Sequence, residues 1–310
     1  RRDTTIPVLG AGAMGSPYAP KLSPNGKNDV HLIDVWKEHI DAVNSNGLQM
    51  EEGDDVLLYE NLKGHTSSEE TGVCDLVLVF VKSTVTKTAV ESNAAVFGPD
   101  TVALTLQNGL GNIEQISSVI GAERVIAGTT AHGATMLSPG KIRHAGKGKT
   151  IIGELGGHES DRIRKMAAVL EDAGMETVIS GNVLGLVWDK LLVNVGINAL
   201  TGITKLYNGQ LLDYPEIEEL LEKAVSEGVA VARAKGIRLG FDDPVAHTKD
   251  LCRATAANKS SMLQDILNGR QTEIEMMNGA IVREGKALGI ETPVNLALTN
   301  LITYLSRKKK

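Results

Sequence analysis

The chain has 310 residues, 42% of them apolar and 23% charged. At about 150 residues per domain this suggests two domains with room for sizeable cores, and it argues against long disorder. A net charge of −6, a pI of about 5.7 and only 3% aromatic residues argue against nucleic acid as a partner and leave no general attraction to an anionic membrane.

In chain order, Ile6–Leu9 reads as a short buried strand that runs directly into Gly10-Ala11-Gly12-Ala13-Met14-Gly15. Val30–Ile33 is a second strand. Asp75–Val81 is the clearest, a continuous β-branched and apolar run of the kind found in a parallel sheet covered on both faces. Val102–Thr105 and Arg124–Ala127 are further strands, with a helix over Ile113–Ile120 among the helical stretches between them. This alternation predicts a doubly wound α/β domain of Rossmann type. Lys141–His144 and Thr150–Gly153 read as a hairpin pair. Ser160–Ala173 reads as an amphipathic helix with a serine N-cap and Gly174 beyond its end. Past Gly181 strands give way to helical periodicity, over Leu186–Thr204, Glu216–Lys235, Pro244–Ala257, Ser260–Leu267, Thr272–Leu288 and Pro293–Leu305. The expected organisation is a dinucleotide-binding domain over residues 1–181 and an all-helical substrate domain over 182–310, with a ligand cleft between them.

The longest apolar run, Leu76–Val81, is far too short to span a bilayer, and the N-terminus enters a strand before any signal peptide is visible. The tail Arg307-Lys308-Lys309-Lys310 reads as a solvated terminus. Cys74 and Cys252 form no CxxC and cannot build a disulfide framework, so a reduced, cytoplasmic setting is expected. The seven histidines offer no HExxH and no cysteine-partner spacing, so no metal is expected.

The glycine loop follows a strand, is placed to open a helix, and is followed 19 residues after Gly15 by an acidic residue, Asp34. Gly10 permits the tight turn, Gly12 lets the backbone approach a pyrophosphate, and Gly15 lets helix and strand pack closely. A glycine-rich turn without ligand is the plainer alternative. A carboxylate at Asp34 suits ribose hydroxyls and repels a 2′-phosphate, which favours NAD over NADP, although Lys37 is close enough to pair with such a phosphate. Asp34 is otherwise a turn residue closing its strand. Pro17, Pro20 and Pro24 conflict with a regular helix after Gly15; Pro17 fits a first turn, whereas Pro20 would remove an interior bond at about 3 kcal/mol.

Lys190, Asn194 and Asn198 recur at i, i+4, i+8 and share one helical face. On spacing alone they are the polar edge of an ordinary amphipathic helix. Beside a cofactor cleft, a partly desolvated lysine could protonate a ketone oxygen as hydride arrives. Asn258 and Ser261 share a face, and Glu273 starts the next helix with Thr272 near its cap; capping and solvation explain these equally well. Lys82-Ser83 and Gln107-Asn108-Gly109 follow strand ends, where α/β folds bind ligands. His132, as a lone histidine, reads as structural.

Taken together, GAGAMGS, VFVKS at Lys82, LQNGLG at Asn108, GTTAHGA at His132, WDKLLVNVGINALTGI, the Asn208-Gly209 pair and NKSSMLQDILNGRQTEIEMMNG resemble the ketopantoate reductase family (2-dehydropantoate 2-reductase) along nearly the whole chain. The resemblance implies NADPH-dependent reduction of 2-dehydropantoate to (R)-pantoate, a step toward pantothenate. It implies Lys190 as general acid and Glu273 as an aid to orientation and proton transfer. Asn108, Asn194 and Asn198 would hold the substrate, Asn258 and Ser261 would bind its carboxylate and terminal hydroxyl, and Lys82 would sit by the cofactor with the Gly10–Gly15 loop. The family's arginine after the second strand is missing from Leu32-Ile33-Asp34-Val35-Trp36-Lys37. That draws the chain toward the NAD-dependent D-2-hydroxyacid dehydrogenase branch, which acts on branched or aromatic 2-oxo acids. Asn258 and Ser261 draw it back, because a site built for a hydroxyl discriminates against substrates lacking one. A non-catalytic dinucleotide sensor is a remote alternative that gives Lys190, Asn194 and Glu273 no purpose. Implied partners are a small 2-oxo acid, with no nucleic acid or membrane, and the helical half could support a homodimer.

Overall fold

The computed structural model describes residues 4–23, 28–146 and 148–307; Pro24 and Lys308–Lys310 lie outside them. In chain order the elements are β1 (Thr4–Leu9), α1 (Tyr18–Leu22), β2 (Asn28–Ile33), α2 (Lys37–Asn46), β3 (Leu48–Glu52), β4 (Asp55–Tyr59), β5 (Lys63–His65), β6 (Cys74–Val79), α3 (Thr86–Ser92), β7 (Phe97–Thr105), α4 (Asn112–Ile120), β8 (Val125–Thr130), β9 (Gly133–Ser138), β10 (Lys141–Gly146), β11 (Thr150–Glu154), α5 (Asp161–Asp172) and β12 (Thr177–Ile179). The helices α6 (Val183–Thr204), α7 (Pro215–Ala234), α8 (Pro244–Ala254), α9 (Ser261–Leu267), α10 (Asn278–Ala287) and α11 (Pro293–Arg307) follow. Two compact units result. The first runs to Gln107 and resumes over Asn112–Val183; the second takes Asn108–Gly111 and everything from Leu184.

The first unit is built on an eight-stranded sheet in the order β12-β11-β8-β7-β6-β1-β2-β5. The strands from β5 to β8 pair in parallel, β11 runs antiparallel to β8, and β12 is parallel to β11. The α/β reading holds, with a mixed edge added to the parallel core. Val77, Leu78 and Val79 of β6 are fully buried on alternating sides, which is why that run carries no polar residue. Ser160 caps α5 by accepting from the Ile163 N–H, and the helix buries Ile163, Met166 and Leu170.

A second sheet, β4-β3-β10-β9, corrects the expected hairpin. Lys141–His144 pairs with β9 and β3, whereas Thr150–Glu154 joins the large sheet against β8. The two segments are neighbours in the chain but belong to different sheets. The signal for β3 and β4 was present: Leu48 and Met50 alternate inward and Gly53 turns the chain.

The helix expected after Gly15 is short. Residues 12–17 form turns, with the Ser16 N–H on the Gly12 carbonyl and the Tyr18 N–H on that of Gly15, and α1 has 5 residues. Pro17 occupies the N-cap and Pro20 is buried within α1, so the prolines are accommodated by brevity.

In the second unit α6 is the central rod. It is apolar enough by length and composition to cross a membrane, with a mean hydropathy of 1.4 over an 18-residue window, but 67% of that window is buried inside the protein. Gly196 on α6 and Gly228 on α7 admit close approach: a Cβ on the first would lie 2.7 Å from Val225 and on the second 2.5 Å from Leu192. The expected helix over Thr272–Leu288 is broken: Ile274–Met276 forms a tight 3-10 turn and α10 begins afresh at Asn278. Cys74 and Cys252 are buried thiols, each pushed up to about 11 by burial and so unreactive at neutral pH.

Burial holds His31, His39 and His132 below the usual imidazole range. A histidine whose folded value is depressed contributes stability that is fully present above its unfolded value, about 6.5, and lost as pH falls through the folded one. The melting temperature should therefore drop between about pH 7 and pH 5. Calorimetry across that range checks this, and a flat profile would refute it.

Candidate functional site

In the first unit, β1, β2 and β6 end at the same edge of the sheet, and Gly10, Asp34 and Lys82 follow those ends. Gly10 has φ 97°, and a Cβ there would meet the Val81 nitrogen at 2.6 Å. A Cβ on Gly15 would lie 1.8 Å from the Gly10 carbonyl oxygen. Both glycines are required by packing. Gly12 differs: nothing lies within 4 Å of where its Cβ would be. Open space beside Gly12 is what a pyrophosphate would need to approach bare backbone there. With only a five-residue helix behind it, the loop relies on its own N–H groups more than on a helix dipole.

Asp34 is fixed by the protein itself. Its Oδ2 accepts the Ala11 N–H at 2.7 Å and its Oδ1 the Trp36 N–H at 2.9 Å, so it ties the glycine loop to the end of β2. Each oxygen retains acceptor capacity for a hydroxyl. Lys37 is exposed and bound to Asp41 of its own helix at 2.6 Å. Lys82 is exposed at the start of the turn Ser83–Val85.

Two supports of this edge, His39 and Ser16, were not singled out from the sequence. The His39 Nδ1 accepts the Gly140 N–H, which assigns the proton to Nε2 and directs it at Ser16 Oγ, 3.2 Å away. The Ser16 hydroxyl in turn donates to the Ala11 carbonyl. A Gly-Ser followed by a histidine inside a helix was the only trace. The amide of Gln107 donates to the Val81 carbonyl and to Thr86 Oγ1, and Asn112 links Ser83 with Thr86. His132 is not solitary: its Nδ1 lies 3.0 Å from His144 Nε2, and His144 Nδ1 is 2.8 Å from Glu52. Among the described residues no group of three or more His, Cys, Asp or Glu side chains is arranged for a metal.

The second unit gathers most of the other candidates. Lys190, Asn194 and Asn198 follow one face of α6, with Lys190 and Asn194 half-buried and Asn198 buried. Burial pushes the Lys190 ammonium down to about 8, against the opposing pull of the Glu273 carboxylate. The Asn198 amide lies 3.5 Å from Ser261 Oγ and 3.5 Å from Met277 Sδ. Ser261 opens α9, which Ser260 caps through the Leu263 N–H, and Ser260 is itself held by Thr201 of α6 at 2.7 Å. Asn258 is exposed on the loop before α9, where its carbonyl accepts the Asn208 N–H. Glu273 precedes the 3-10 turn and does not begin a helix, and Thr272 faces Ser306 Oγ at 3.5 Å and caps nothing. Asn108 belongs to this unit: the neighbouring Leu110 N–H donates to the Met276 carbonyl, and Gly109, at φ 82°, lies where a Cβ would meet that oxygen at 2.6 Å.

Gly15→Ala should lose about 2–3 kcal/mol or more of stability, because backbone stands where the methyl would go. Gly12→Ala should stay within about 1 kcal/mol of the parent, having open space there. Chemical denaturation of both variants tests the pair, and equal losses would contradict the geometry.

The family model described as "Ketopantoate reductase PanE/ApbA" matches residues 6–157, and that for its C-terminal part matches residues 182–306. A 2-dehydropantoate 2-reductase from Halobacterium salinarum is 37% identical over 305 residues, covering 97% of this chain and 99% of the relative. One from Pyrococcus horikoshii is 34% identical over 96% of each chain. Among solved structures, D-mandelate dehydrogenase with NADH and anilino(oxo)acetate superposes at a TM-score of 0.92 with 29% identity, covering 98% of this chain and 99% of that one. A ketopantoate reductase from Ralstonia eutropha does so at 0.91 with 31% identity and the same coverage. The glycine loop of the first unit and the lysine-bearing helix of the second thus fall within one pattern that spans the chain, which belongs to the ketopantoate reductase family of nicotinamide-dependent oxidoreductases.

Proposed function

We propose that this protein reduces 2-dehydropantoate to (R)-pantoate, with Lys190 as the general acid. The observation that carries the reading is a lysine desolvated to about 8 on the same helical face as two amides. An ordinary solvated lysine near 10.4 is a poor proton donor at neutral pH, whereas one near 8 is still protonated and gives the proton up readily. A reduced nicotinamide supplies the hydride when bound. Lys190 delivers its proton to the ketone oxygen as negative charge develops there. Glu273 favours the ammonium form between turnovers, since it raises the lysine's affinity for a proton. Asn194 and Asn198 orient the substrate, Asn198 together with Ser261 suits a terminal hydroxyl, and Asn258 is available to its carboxylate. Gly10, Gly12, Ala13, Met14 and Gly15 hold the pyrophosphate, with Lys82 and Asn108 nearer the reacting end.

The cofactor reading follows from Asp34. Two backbone N–H groups hold its carboxylate in place, so it cannot swing away from a 2′-phosphate, and Lys37 is engaged with Asp41. This supports NAD over the NADP that the family's usual arginine would serve. The same observation favours a second reading, an NAD-dependent D-2-hydroxyacid dehydrogenase of branched or aromatic 2-oxo acids.

Initial rates with NADH and NADPH, on ketopantoate and on the hydroxyl-free 2-oxoisovalerate, separate the two. A preference for ketopantoate is expected; a preference for 2-oxoisovalerate with NADH moves the protein to the second reading. Lys190→Ala should lower kcat by about 10²-fold or more while cofactor binding persists. Because the acid must be protonated, kcat for reduction should fall as pH rises through about 8. A near-normal rate in the alanine variant sinks the assignment.

A further inference from the structure

Three of the candidate residues converge on one short stretch, Glu273–Asn278. Glu273 opens it. The Met276 carbonyl accepts the Leu110 N–H and so holds the loop carrying Asn108. The Met277 Sδ lies 3.5 Å from the Asn198 amide. Something must then fix this stretch against α6, and the next residue does so. Asn278 is fully buried, and its amide donates both to the Val195 carbonyl in the middle of α6 at 3.1 Å and to Asn295 Oδ1 at 3.0 Å. The Val195 carbonyl lies between Asn194 and Asn198 on the helix that also carries Lys190.

We infer that Asn278 is a positioning residue for the proposed reaction, latching the Glu273–Met277 turn to α6 and thereby setting Glu273 and Asn108 against Lys190 and Asn198. The latch is retained at an energetic disadvantage. Asn278 Oδ1 is buried with no hydrogen-bond partner among the described residues, and a leucine of similar volume would remove that orphan only by taking the donor from Asn295 Oδ1. What an asparagine supplies here is two directed N–H groups, one to α6 and one to α11. The break at Met277 has the same logic. A continuous helix over Thr272–Leu288 would keep these N–H and carbonyl groups within itself, whereas ending the turn at Met276 frees the carbonyl that receives Leu110.

This inference rests on the reduction proposed above, and the test separates the two. Asn278→Leu removes both donors at nearly constant volume. Asn295→Ala removes the side-chain donations to Glu227 and the Ala224 carbonyl, and the acceptor for Asn278, but leaves the Asn278 to Val195 bond in place. Asn278→Leu should lower kcat about 10- to 100-fold with little change in KM. It should also move the alkaline limb of the kcat profile upward, as a loosened α6 rehydrates Lys190. Asn295→Ala should lower the melting temperature and leave that limb where it is. If both variants lose stability alone, or both shift the limb equally, Asn278 is a core residue and the inference is wrong. Should Asn278→Leu not fold, Asn278→Ser, which keeps one donor, is read the same way, and failure of both to fold also overturns the positioning role. Wild-type protein inactive on every 2-oxo acid would remove the reaction itself; active wild type, inactive Lys190→Ala and unperturbed Asn278→Leu would remove this inference alone.

Discussion

A helix that is core on most of its circumference leaves little room for charge, and the helical unit is organised around that constraint. Val183–Thr204 buries Leu191, Leu192, Val195, Ile197 and Leu200. Along one line it nevertheless carries Lys190, Asn194 and Asn198. Desolvation of that lysine is the direct physical consequence of placing it on such a rod, and it brings the ammonium into the range where proton donation near neutral pH is efficient. Close packing and an acidic lysine are thus two results of one arrangement. Glycines at 196 and 228 let α7 approach the rod, and Asp189 of the same helix accepts the Gly240 N–H with both carboxylate oxygens, fixing the loop before α8.

On the proposed function, the first unit meets a different constraint. Backbone must come close to a phosphate without side chains intervening, yet the loop must not collapse onto the sheet. Gly10 and Gly15 satisfy the packing half, since a Cβ on either would strike backbone, and Gly12 leaves the open half. The short α1 shifts the burden of rigidity to hydrogen bonds. Asp34 holds the Ala11 N–H from one side, and the chain Gly140–His39–Ser16 holds the Ala11 carbonyl from the other. That chain requires a neutral imidazole, consistent with the lowered proton affinity that burial imposes on His39. Asp34 is thus a scaffold of the loop, and on the proposed function it is the discriminator as well, so that a substitution there would disturb both.

Although α6 runs unbroken past Lys190, Asn194 and Asn198, regular structure is short or interrupted at several other candidate residues. The helix after the glycine loop is shortened by prolines, and the expected Thr272–Leu288 helix is split at Met277. Ser261 opens a helix of 7 residues held by an internal cap. Each interruption exposes backbone N–H or carbonyl groups that a continuous helix would consume, and those groups tie neighbouring segments together.

Much was legible without coordinates. Continuous apolar runs located the central strands, glycine spacing located the tight loop after β1, and the four-residue period of Lys190, Asn194 and Asn198 put them on one face. These follow from local periodicity and from residue types whose sterics are nearly context-free. What the sequence alone could not decide were matters of pairing over distance. Lys141–His144 joined a sheet with Leu48–Glu52, about ninety residues earlier, because strand partners are chosen by matched faces and not by neighbourhood in the chain. Asp34 found the Ala11 N–H, Asn278 the Val195 carbonyl, and the loop through Asn108 was tied to the helical unit by the Leu110 N–H on the Met276 carbonyl; which donor meets which acceptor over such separations is decided only by the tertiary structure.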